Sequence, residues 1–526
     1  MEPLPVAIVC ALIAATIGIT AYAKRRNVDT GDHYVAGRRL SGWQNGLALA
    51  GDQISAASFL GITGAVALTG MTGFLLGIGL SAAFLLIVLL VAEPLRNLGR
   101  FTLADAVATR FEGRGLRGAI AVTTLVISTV FMVVQFVGSG LVASALLDID
   151  FAVAVIILGG LMTLYTVVGG MVGATYIQIF KTSLLLVMVL TLFVVVISRT
   201  GWNPLGPMKE AAAQMGDDVM RVDRSDSTVS WNFISLNMGL VLGMMAMPHI
   251  MVRFLTVRDG RAARSSAQGA MWIFALFFLL LPIFGFAAAN EVGRDAITAA
   301  NPAGNSAATA LAQAVGGDVL FALVAGVVIA TVLAVLAGLA IAASGAAAHD
   351  LYTNVLKRGE VDERRQLQVS RMAGVGIAVV AILLALGAKD LNVAFLANVA
   401  FSIAAATTMP VVVLSIYWKG FNRTGATWGI VGGLTLSLVL VVLGPDVMGK
   451  DDAIWPLSIP AIVTIPFAFA LCWLGSLAGR NNPDAQGMPW EEFTARAFPS
   501  RTRGDGDRFS RDGVTPATPE RTTSSP

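Results

Sequence analysis

The sequence predicts an all-α polytopic membrane protein of about 13 transmembrane helices, with two inverted groups of five between one leader helix and two extra C-terminal helices. Three observations lead there. Hydrophobic side chains make up 56 % of the 526 residues and charged ones 13 %, a composition too apolar for a water-soluble globule. Basic residues lie in short clusters between apolar runs long enough to cross a bilayer. One run in each half also carries polar residues with Gly or Pro, the mark of a broken membrane helix.

The leader runs from about 4 to 23, and Lys24, Arg25 and Arg26 follow it. A secretory signal has its charges first, so this segment reads as a retained helix with its N-terminus outside. After an inner loop containing DHYVAGRRLSGW, the first repeat (46–198) has spans at about 46 to 70, 72 to 94, 117 to 143, 149 to 169 and 173 to 198. The segment NLGRFTLADAVATRFEGRGLRG is too charged to span and reads as an amphipathic helix along the inner face. An outer loop with DDVMRVDRSDS leads to the second repeat (231–417), with spans at about 231 to 252, 267 to 290, 316 to 348, 370 to 387 and 391 to 417. Extra helices at about 424 to 444 and 453 to 478 complete a transporter domain over residues 1–480. Residues 481–526, rich in Pro, Ser, Thr and Arg, read as a disordered cytoplasmic tail.

Orientation follows from charge. With the leader entering from outside, roughly 29 of the 36 Lys and Arg fall on the inner side, as cytoplasmic loops require. Trp202, Trp231 and Trp455 then fall near outer boundaries, and Trp43, Trp418 and Trp428 near inner ones. The expected location is the cell membrane, with the C-terminus in the cytoplasm. A net charge of +3 spread over such loops argues against nucleic acid as a partner. Cys10 and Cys472 both fall inside spans and have no metal or redox spacing.

Because five is odd, the two groups must run in opposite directions through the membrane. Transporters of that design bind solute and ion where the first helix of each half is interrupted. The first such helix contains AGDQIS and the second NMGLVLGMMAMPHI, which places the breaks at Gly51 and Gly239. Gly243 reads as a packing contact.

Asp52 is the most costly residue in the chain, at roughly +2.5 to +3.5 kcal/mol for a carboxylate at the centre of a span. It either serves a cation, takes up a proton, pairs with a buried Lys, or is a satisfied polar group holding the break. Lys181 reads as a functional cation near the site, with a role in proton coupling, or as a snorkelling side chain. Candidate solute ligands are Gln53, Ser55, Ser58, Gln135, Asn237, Thr407 and Thr408, each also able to serve helix packing. Thr331 is a further polar candidate inside a span. The histidines map to inner loops or inner span ends, which disfavours a midplane relay. No HExxH, GxSxG or GxxxxGK[ST] motif is present, so an enzyme is not expected.

The stretches GDQISAASFLGITG, DHYVAGRRLSGWQNG, YTVVGGMVGATYIQ, MPHIMVRFLTVRD and AHDLYTNVL, in this order over about residues 1 to 480, together resemble the sodium:solute symporter family. Within it they look most like its acetate permease and short-chain monocarboxylate branch. The resemblance implies a leucine-transporter-type 5+5 core and symport of a small organic anion with Na+ or H+, with no other cofactor. It also implies cation ligation by the carbonyls of Gly51, Ile54 and Thr331, with Asp52 as a candidate fourth ligand. The family's two hydroxyl positions fall on Ala334 and Val335, and its aspartate position on Gln178. A symporter for an amino acid or sugar, and a passive channel or solute sensor on the same scaffold, are the alternatives.

Overall fold

The structure is a computed structural model that describes residues 3–26, 29–54, 56–147, 149–221, 227–302, 304–389, 393–449 and 452–499. In chain order, α1 (Pro3–Lys24) precedes a first broken pair, α2 (Gly42–Gln53) and α3 (Ala56–Thr69), followed by α4 (Met71–Leu86). A short α5 (Leu103–Ala108) leads to α6 (Arg114–Leu147), α7 (Phe151–Leu164) and α8 (Gly170–Arg199). The second half has a broken pair, α9 (Ser227–Met244) and α10 (Pro248–Leu255), then α11 (Gly260–Glu291), α12 (Ala307–Gly345) and α13 (Glu363–Gly387). An interrupted pair, α14 (Val393–Ala406) and α15 (Thr408–Tyr417), is followed by α16 (Arg423–Val442), α17 (Ala461–Ala478) and α18 (Trp490–Ala497).

Among the described residues, 10 helical segments are long and apolar enough to cross a bilayer, joined by shorter apolar helices at Cys10–Lys24 and Ser58–Thr69. One of the ten, Phe151–Arg199, has 49 residues. At 1.5 Å per residue that is about twice a bilayer's hydrocarbon thickness. The chain turns within it at Gly170, whose φ of 54° suits a residue without a Cβ. The only β pairing among the described residues is a parallel bridge between Leu40 and Val257. It ties the entry to the first broken helix to the exit from the second.

The packing repeats itself when the halves are exchanged. The α2–α3 pair packs on α11, and α9 packs on α4. Likewise α2 packs on α8 as α9 packs on α14, and α8 on α12 as α14 on α6. Such matched contacts are what two inverted copies of one five-helix unit produce.

Both broken helices break later than the glycines suggest. Helix α2 continues through Gly51 to Gln53 and ends at Ile54, whose ψ of 81° is non-helical. Helix α9 runs through Gly239 and Gly243, and the chain breaks over Met245–Met247 before Pro248 starts α10. Both glycines of α9 serve packing: a Cβ at Gly243 would overlap the Phe401 carbonyl, and Gly239 rests on Ser402 and Ala461.

Two further expectations are corrected. The 97–118 segment does not lie as an amphipathic helix on the membrane face. Its helix, α5, is only six residues long and is buried from Leu103 to Val107. There Arg117 bridges Asp105 at 2.8 Å and Asp350 at 3.0 Å, and His349 Nε2 lies 3.1 Å from Asp105. Burial pushes the Asp105 carboxyl up, but the hydrogen bond and charge of His349, with Arg117, outweigh burial and hold it below the carboxylate range. The tail expected to be disordered from 481 instead folds back through α18, with Phe493 and Ala497 buried. Arg110 anchors it, stacking over Trp490 and Phe493 while its guanidinium donates to the carbonyls of Ser415 and Lys419. Residues 500–526 lie outside the described residues.

Candidate functional site

The last turn of α2 projects Asp52 into the bundle, where it is fully buried. A charge at that depth needs a partner. Arg253 of α10 supplies it: Nε donates to Asp52 Oδ2 at 2.6 Å and Nη2 to Oδ1 at 3.3 Å. The fork is completed from α8, where Arg253 Nη1 donates to Thr175 Oγ1 at 2.7 Å and Gln178 Nε2 donates to Asp52 Oδ1. On α12, Gly338 faces the pair, leaving room for it. Arg253 thus joins the two broken helices, and Asp52 has no carboxylate oxygen left over for a cation.

Lys181, one turn beyond Gln178 on α8, is also fully buried. It neither snorkels nor hydrogen-bonds to Asp52. Its Nζ donates to the Gly51 carbonyl at 2.5 Å and reaches the Thr331 carbonyl of α12 at 3.4 Å. Gly51 permits this approach, since a Cβ there would overlap the Thr182 hydroxyl. Ile54 is buried at the end of α2, and Ala334 and Val335 are buried apolar positions on α12.

The remaining candidates separate into two groups. Gln135 of α6 lines an open cavity of about 220 Å³ that also touches Leu60, Ser139, Asn305, Phe321 and Val332. The Gln135 and Gln53 side-chain amide nitrogens are buried without a hydrogen-bond partner, each a donor awaiting an acceptor. The second group serves the fold. Ser58 donates to the Gln53 carbonyl at 3.1 Å, bridging the α2–α3 break. Thr407 donates back to Ile403, and Thr408 donates to Ala246 at 3.0 Å, satisfying backbone freed by the α9–α10 break. Asn237 donates to Phe233 in its own helix and faces Gly79. Ser55 lies outside the described residues.

Arg253 was not singled out from the sequence, where it counts among the basic residues of the following inner loop. Its signal was its place in HIMVRFL, an apolar stretch that begins only after Pro248, together with the need of Asp52 for a partner. His249, next to the break, is buried and stacks on Phe131 with ring centroids 5.5 Å apart.

The bundle thus holds two broken helices cross-linked by buried charge, and a cavity lined by the free amide of Gln135. A profile of the sodium:solute symporter family matches residues 33–433. The chain is 44 % identical to a Bacillus subtilis (strain 168) protein described as the uncharacterized symporter YwcA, over 89 % of this chain and 93 % of that one. It is 40 % identical to a monocarboxylic acid transporter of Corynebacterium glutamicum, over 91 % and 92 % of the two chains. Among solved structures, a Na+-coupled sialic acid symporter in a substrate-bound outward-open state superposes with a TM-score of 0.72, covering 92 % of this chain and 99 % of that one at 15 % identity. That likeness is one of fold.

Proposed function

The chain belongs to the sodium:solute symporter family, and we propose that it imports acetate or a similar short-chain monocarboxylate with a monovalent cation by alternating access across the cell membrane. The observation that carries the anion is the charge of the buried cluster. Asp52 is paired with Arg253, and Lys181 is a second buried basic group on the carbonyl of neighbouring Gly51, so basic groups outnumber acidic ones here and an anionic solute suits them. The 40 % identity to a monocarboxylic acid transporter supports the same class.

The cavity extends from Gln135 and Val332 to Ala300, Asn305 and Thr309, the end of the bundle where α6 finishes and α12 begins. That end lies opposite Arg117, Asp105 and Asp350, whose ion pairs close the other side. With the N-terminus outside and the basic loops inside, this is an outward-facing state in which Gln135 donates to the solute carboxylate.

Counterflow tests the reading. Proteoliposomes preloaded with unlabelled acetate are expected to take up labelled acetate faster than protein-free vesicles, with competition from propionate and none from neutral sugars or amino acids. Conductance without counterflow would point to a pore, and competition by sugars or amino acids to another solute class. Gln135→Leu is expected to raise KM for acetate about tenfold or more, since a hydrogen bond to a charged group is worth about 1.5–3 kcal/mol. An unchanged KM would remove Gln135 from the solute site.

A further inference from the structure

Two of the three carbonyls that the family resemblance assigns to a coupling sodium, those of Gly51 and Thr331, already face a cation, and this mismatch carries an inference that rests on the symporter reading above. Gly51 lies in the last turn of α2, where carbonyls run out of intrahelical donors and carry the negative end of the helix dipole. Lys181 Nζ meets its carbonyl at 2.5 Å and that of Thr331 at 3.4 Å, tying α2 to α12. A hard metal cation needs a shell of oxygens. Here Ala334 and Val335 bring none, and both Asp52 oxygens are engaged by Arg253 and Gln178. Among their side chains only Thr331 Oγ1 and Gln178 Oε1 remain unpartnered, so beyond the Ile54 carbonyl little is left to build a shell around a site that an ammonium fills.

These residues do not fit sodium. We infer that the Lys181 ammonium takes the place of the coupling sodium, so that acetate uptake is independent of Na+.

The charged groups acting on Lys181 are Asp52 from α2 and Arg253 from α10. The other helices packed on α8 bring their ionisable residues elsewhere. Helix α12 has Asp318, exposed near its start, α1 has Lys24 at its end, and α11 has Arg261, Arg264 and Glu291 at its two ends. The Thr30–Val35 helix brings Asp32 and His33. The cation between α2 and α12 is thus a side chain of the protein itself, whereas a sodium site would take up its cation anew in each cycle. Val332, the residue after Thr331, lines the cavity.

The test uses the purified full chain in proteoliposomes with labelled acetate, protein-free vesicles being subtracted. Uptake is expected to persist in sodium-free choline buffer, and an inward sodium gradient at equal pH to change it by less than twofold. Sodium-driven accumulation of fivefold or more, with counterflow intact, would overturn the inference while leaving the monocarboxylate reading standing. Absence of counterflow would remove that reading and the charge balance built on it. Lys181→Ala empties the cradle: uptake in choline is expected to fall at least tenfold, and added Na+ or methylammonium to restore at least fivefold. A well-folded Lys181→Ala protein that neither cation restores counts against the assignment. If that variant does not fold, the wild-type gradients still decide.

Discussion

Asp52 and Arg253 act as one unit, and their energetics can be tested as one. Removing either partner leaves the other charge buried without compensation, a loss of about 3–5 kcal/mol for a buried pair. Asp52→Asn and Arg253→Gln are each expected to lower the thermal midpoint in detergent and to cut acetate uptake at least tenfold. The double variant is expected to be no less stable than either single one, because two neutral amides replace two opposed charges. Additive losses would show that the two side chains act separately. Half of this pair was legible from the chain alone, since a carboxylate inside an apolar span stands out by its cost. Arg253 was not, because it lies at the end of a span and counts as one more inner-loop arginine until the fold buries it. Lys181 was legible as a deep cation, but its acceptors are backbone carbonyls from two other helices, and no sequence pattern names a carbonyl.

At the scale of elements, composition located the interrupted helices but placed their breaks too early, by about one turn in the first and about two in the second. Glycine tolerates a break, yet Gly51, Gly239 and Gly243 all serve close approach, and the breaks fall at Ile54 and at Met245–Met247. Pro248 was the better marker in the second helix, since it can start a helix but not continue one. The folded part of the tail was hidden for a different reason. The helix α18 has an unremarkable polar sequence, and what orders it is Arg110, some 380 residues earlier, under its Trp490 and Phe493 rings. Asn97 adds a hydrogen bond to the Ala497 carbonyl at 3.0 Å. Phe493→Ala removes the buried anchor of a terminal helix, so its effect should be local. Hydrogen exchange over 483–499 is expected to rise at least tenfold while the main unfolding transition moves by a few degrees at most. A large fall in that transition would instead make α18 part of the bundle's core.

One end of the bundle carries a buried ion-pair cluster and the other a cavity, and the first of these contributes to the response to acid. His33 sits there in the Thr30–Val35 helix, buried beside Ser370 of α13. Burial, with the charge of Arg371, pushes its imidazole down to about 4. In the unfolded chain the same group titrates near 6.5, so between these values the unfolded state holds a proton that the folded state does not. Stability from His33 is thus complete above about pH 6.5 and is lost as pH falls toward 4, by about 1.4 kcal/mol per unit and about 3 kcal/mol in all. Asp105 has the same sign in a lower window. Its carboxyl is held below the ordinary range, so its contribution is full above about pH 4 and fades only under stronger acid. The two windows separate the groups. His33→Gln should make the thermal midpoint fall less between pH 6.5 and 4 than in the wild type while leaving the loss below pH 4 in place. If the His33→Gln profile keeps the wild-type slope through pH 5, the acid response of the closed end originates elsewhere, and His33 is only a packed ring between the leader loop and α13.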